Sequence, residues 1–124
     1  MTRLNSGGQA TVELALALPM VALLLAVLVE VGALARDHAL VWHAAREAGR
    51  VAAVDPEEEP VEEAASRSGL SPISVEIDTP LEERIAGRPI VVTVSYRHVG
   101  SVPVLGDLFE KEINASASMR IEHP

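Results

Sequence analysis

The chain has 124 residues, no cysteine and a formal net charge of −8. That allows one small domain and excludes disulfide staples and thiolate metal sites. The charge is unevenly placed: residues 1–54 balance four acids against four bases, whereas residues 55–124 carry fourteen acids and six bases. An acidic surface repels phosphate, and the few aromatics (Trp42, Tyr96, Phe109) give no base-stacking platform, so a nucleic-acid partner is excluded.

Residues 1–8 are polar with one base, Arg3. From Ala10 to Ala35 the chain is apolar except for Thr11, Glu13 and Glu30. Leu14 to Ala35 is long enough to cross a bilayer, which takes roughly 20 residues. Glu13 and Glu30 would lie about 25 Å apart along a helix, each close to one boundary of the hydrocarbon. Two other readings compete. A soluble core helix of this length is too long for so small a domain. A cleaved secretory signal would have an apolar region of about 7–15 residues and a small-x-small site, which Ala33 and Ala35 supply, but the helical pattern does not stop there. Pro19 would kink or loosen the helix locally.

The helical pattern continues to Val54. Ala44, Ala48 and Ala52 recur every four residues, and Ala45, Gly49 and Ala53 repeat them one step round. Small residues at that spacing let another backbone approach closely. Arg46 and Arg50, with Glu47, read as a solvated face. Residues 55–60, DPEEEP, read as an acidic linker, and Val61 to Ser68 as a short helix stopped by Gly69. Three segments then alternate with period two: Ile73–Asp78, Ile90–Arg97 and Ile113–Ile121. They predict a three-stranded antiparallel meander, one face packed on the short helix, the top of the long helix, or both. The fold class is therefore α+β: a long N-terminal transmembrane helix extending out of the membrane, a short helix and the sheet. The divisions are 1–8, 9–54, 55–60 and 61–124.

Little points to catalysis or cofactors. His38 and His43 are five apart, so they lack the four-residue spacing of a helical zinc motif. His98 and His123 stand alone. The acids from Asp55 to Glu63 lack the alternating ligands and glycine of a calcium loop. Asn114-Ala115-Ser116 matches a glycosylation sequon by chance. No catalytic, cofactor or metal site is expected, and the protein is not expected to be an enzyme. Glu13 is the informative polar residue. A carboxylate at the start of a membrane helix is costly, although the helix N-terminus favours it.

The setting Gly8-Gln9-Ala10-Thr11-Val12-Glu13 resembles the type IV pilin class, in which a prepilin peptidase cuts after a glycine and a glutamate stands fifth in the mature chain. A cut between Gly8 and Gln9 makes Glu13 that residue, and residues 1–8 the leader. With Leu14-Ala15-Leu16, Ala44-Ala45-Arg46-Glu47-Ala48, Val92-Thr93-Val94-Ser95-Tyr96 and Ala115-Ser116-Ala117-Ser118-Met119-Arg120, the chain resembles the TadE/TadG-like family, the minor pilins or pseudopilins of tight-adherence (Tad/Flp) pilus assembly. The short leader with a single base departs from the pattern.

The resemblance implies a pilin-like fold and a cytoplasmic N-terminus in the bacterial inner membrane. The charges alone leave orientation open, since Arg3 argues one way and Arg36, Arg46 and Arg50 the other. It also implies prepilin peptidase, other pilins or pseudopilins and Tad inner-membrane platform proteins as partners, with homo- or hetero-oligomers. Glu13 would then be the assembly carboxylate. The competing expectation is an uncleaved, membrane-tethered envelope binding module that joins no filament.

Overall fold

The computed structural model describes residues 6–122. Most of the proposed leader, residues 1–5, and His123 lie outside the described residues. One helix dominates. α1 runs from Ser6 to Val54 and continues through Pro19. Proline lacks the N–H for the i−4 bond, but the leucines and alanines on either side hold the helical path. α1 ends where Pro56 disfavours helical backbone at Asp55. The Glu57 N–H then donates to Asp55 Oδ1 at 3.3 Å, turning the chain.

α2 spans Glu58–Ser66. It begins three residues before the expected Val61, and the linker shrinks to Asp55–Glu57. The reason is Pro60. In the first turn of a helix no backbone N–H needs an intrahelical partner, so proline is accepted there. Glu58 and Glu59 supply the acids of that first turn. Gly69, at φ +81°, lies just beyond the helix end.

The strands are β1 (Ile73–Ile77), β2 (Pro89–His98) and β3 (Lys111–Arg120). They form the expected antiparallel sheet in the order β1-β2-β3, with Val75 opposite Val94 and Val94 opposite Ala115. The connections between the strands hold a 3-10 turn at Leu81–Glu83 and a one-turn helix, α3, at Gly106–Phe109. Both are too short to show a period in the sequence.

The core lies between the sheet and the second half of α1. Ile90, Val92, Val94, Ile113 and Ala115 are buried against a helix face of Val41, Ala44, Ala45, Ala48 and Ala52, and Val61 and Ala65 of α2 complete it. β2 starts near the far end of α1, where the Glu122 N–H donates to the Ala53 carbonyl at 2.9 Å. It runs back toward the apolar half and ends at His98, which meets Asp37. The first half of α1 has no such partner. Leu14, Leu16, Leu18, Met20, Leu23 and Leu24 are each more than half exposed. Leaving six such side chains in water would forfeit roughly 10–20 kcal/mol of burial, as much as the whole stability of a small domain. Among the described residues this is the one helix long and apolar enough to cross a membrane, and its most apolar stretch is not buried within the chain.

The small residues of α1 set how closely the sheet can sit. A Cβ placed on Gly49 would lie 3.2 Å from Ala117 Cβ and 3.3 Å from Met119 Cγ. Gly49→Val should therefore push sheet and helix apart and lower stability by about 1–3 kcal/mol. Denaturant unfolding of the full chain in micelles measures this, and an unchanged midpoint would contradict the close docking.

Candidate assembly site

Three groups of residues on α1 stand out, one at each end and one at the junction between its apolar and packed halves. At the N-terminal end Gln9 and Glu13 are one turn apart, and Gln9 Nε2 donates to Glu13 Oε1 at 3.2 Å. Both side chains are exposed. Thr11 Oγ1 donates back to the Gly7 carbonyl at 2.9 Å. In hydrocarbon Glu13 would otherwise carry a bare charge, so even one donor matters. Nothing lies within 4 Å of a Cβ built on Gly7 or Gly8. The fold has no steric need for glycine there, and each glycine costs a helix about 1 kcal/mol relative to alanine.

At the far end, Ala44, Ala45, Ala48, Gly49, Ala52 and Ala53 are all buried. The close approach expected of this face does occur, but within the chain. Its own α2 and sheet cover those positions. They are therefore not open to a neighbouring helix.

The third group was not anticipated from the sequence as a unit. Glu30 and Asp37, seven residues apart, fall on one face of α1. Both are buried, Glu30 completely. His98, at the end of β2, is buried with them, and its Nδ1 lies 2.7 Å from Asp37 Oδ2. Glu30 Oε1 accepts the N–H of Val102, in the loop after β2. Glu30 Oε2 and His98 Nε2 find no partner among the described residues. Glu30 was expected at a bilayer boundary. The structure tucks its carboxylate beneath this loop. Two signals were available: Glu30 and Asp37 share the stripe that Val41 and Ala48 continue, and His98 extends the buried alternation Ile90, Val92, Val94. Among the described residues no group of three or more His, Asp or Glu could hold a metal ion.

The chain is thus an α+β protein with a small sheet domain clasped to the second half of one helix, whose bare, apolar first half is long enough to serve as a single-pass membrane anchor. Residues 8–50, within α1, match the family model described as TadE-like protein. The match starts at Gly8 and ends at Arg50, so the strand segments that also suggested the resemblance lie outside it. No curated protein and no solved structure matches the chain.

The Asp37–His98 contact ties the sheet to the helix at the junction. Asp37→Ala would leave both ring nitrogens of buried His98 without a protein partner, at a cost of about 1–3 kcal/mol. The expected readout is faster hydrogen exchange at the His98 and Val102 amides, with the amides of Val92 and Val94 still protected. Unchanged exchange at His98 would show that the contact does not hold the junction closed.

Proposed function

We propose that the chain is a minor pilin or pseudopilin of a Tad pilus assembly system, anchored by α1 in the inner membrane with its N-terminus in the cytoplasm and its sheet domain outside. It works by assembly, not by catalysis. The observation that carries this reading is the coincidence of the TadE-like match with the helix whose first half the chain leaves unpacked. That half is free to meet lipid first and other apolar helices later.

Glu13 gives the helix a polar point of register. A carboxylate at low dielectric is costly unless paired, so a neighbour's cation, or the amine freed at Gln9 by a cut after Gly8, would favour one alignment of helices over its slips. Gln9 already reaches Glu13 through its side chain, so the new amine would arise beside the carboxylate it would pair with. Gly8, which the packing does not require, is accounted for by recognition by a prepilin peptidase. The other partners would be fellow pilins or pseudopilins and the inner-membrane platform of the same system.

Mass spectrometry of the protein from cells with an active prepilin peptidase should find a chain beginning at Gln9. An intact Met1 would instead favour an uncleaved envelope anchor that binds a partner outside any filament. Glu13→Ala is expected to leave membrane insertion intact and to abolish pilus assembly, scored by electron microscopy and by sheared-fibre yield. Normal piliation in that variant would sink the assembly role of Glu13.

A further inference from the structure

We propose that the loop between β2 and α3, Val99–Leu105, is a second membrane contact: with Leu108 it dips into the outer boundary of the same bilayer that α1 crosses. The proposal rests on the reading of α1 as a membrane span.

Depth comes first. The Val102 N–H is bonded to Glu30, which sits inside the apolar stretch of α1. If Glu13 marks one boundary, Glu30 lies about 25 Å deeper, against a hydrocarbon thickness of about 30 Å. The exposed apolar surface of the helix continues past Glu30 to Val31. A loop bonded to Glu30 is therefore at the level where hydrocarbon gives way to headgroups. β2 and β3 bring it there, because they run along the helix and meet it at Asp37 through His98.

Chemistry comes second. Val99 to Leu105 holds no charged residue, in a domain that carries the net negative charge. Val99, Val104 and Leu108 are 64%, 92% and 78% exposed. In the proposed contact these side chains meet the bilayer that the span crosses instead of facing water. Arg36 and Lys111, both exposed, mark the next level up, Arg36 preceding Asp37 in α1 and Lys111 opposite His98 in the ladder. Asp107, Glu110 and Glu112 lie close by in sequence, and Glu110 pairs with Arg97. The charges there are mixed, so the contact is apolar and needs no anionic lipid.

The loop is also built to hold this shape. Gly100 and Gly106 cross so closely that a Cβ on Gly100 would lie 2.1 Å from Gly106 Cα. The Gly106 N–H donates to the Val102 carbonyl at 2.8 Å. The pinched loop presents Val104 outward at φ +73°, a left-handed backbone that a β-branched residue rarely adopts. Within the chain Val104 gains almost no burial in return. A lipid environment supplies it, and the covering loop keeps the Glu30 carboxylate away from hydrocarbon.

The chain has no native cysteine, so single labels report cleanly. Val104→Cys, Leu81→Cys and Leu18→Cys, each carrying an environment-sensitive fluorophore, would be reconstituted as full chains in vesicles of zwitterionic phosphatidylcholine at high lipid excess. Leu81 is as exposed and apolar as the loop, but lies on the sheet's other connection. The expected result is a blue-shifted emission at positions 104 and 18, lost when nitroxide-bearing lipid is included, and a water-like emission at 81. Water-like emission at 104 with lipid quenching at 18 would overturn the loop contact alone. Water-like emission at both would overturn the membrane span itself. Shielding at 104 that appears only at high protein density would assign the loop to a second copy of the chain and would also overturn the proposal.

Discussion

The structure depends on how closely the sheet can approach α1. A single helix serves as anchor and as half of a domain core, and the difference between its halves is side-chain size. From Ala44 to Ala53 the buried positions are alanine and glycine, so β2, β3 and α2 press close to the helix backbone. From Leu14 to Leu25 every residue of the helix is exposed, and most are leucine, valine or alanine. A sheet of ten-residue strands cannot reach both halves of a helix as long as α1. The small-residue half holds the domain and the large-residue half is left to another solvent.

The junction between these halves poses its own electrostatic problem. Glu30 and Asp37 are on the buried face where the environment changes, and a carboxylate there is expensive unless it has donors. Each finds one from the same stretch of chain: His98 at the end of β2, and the Val102 N–H just after it. The polar contacts thus do what the apolar core does not. They fix where along α1 the sheet ends, since a register slip of one helical turn would strip both carboxylates of their partners.

Much of this was legible in the sequence because period and length survive without context. The alternation in Ile90–Tyr96 and Ile113–Ile121 set the strands and their buried face, and the apolar run set the bare half of α1. The start of α2 was misplaced because Pro60 reads as a breaker, although in a first turn it breaks nothing. The Glu30–Asp37–His98 group was not legible as a unit. Its members are distant in sequence, and only the return of β2 along α1 brings them together. The small-residue stripe marks a face that a backbone can approach closely. Whether the approaching backbone is the chain's own or a neighbour's is a tertiary fact that spacing does not encode.

That last point constrains any assembly built on this helix. With the face of Ala44 to Ala53 occupied internally, a neighbouring helix cannot use it unless the sheet leaves. Past Ala35 the exposed surface of α1 is mixed, with Arg36, His43, Arg46 and Arg50 beside Trp42 and Val54. Trp42 there donates to His38 Nε2 at 3.2 Å and Arg50 pairs weakly with Glu47, both within the helix. In the proposed assembly, close helix–helix packing between subunits would fall to the lower half, where Ala15, Ala22 and Ala26 interrupt the leucines and Glu13 is the polar group near its start. Leucine surfaces alone discriminate poorly between registers, because each slip buries a similar area. A single buried carboxylate does discriminate, since only one alignment supplies its partner. In the assembly proposed above, packing energy and register would come from different residues of the same half-helix.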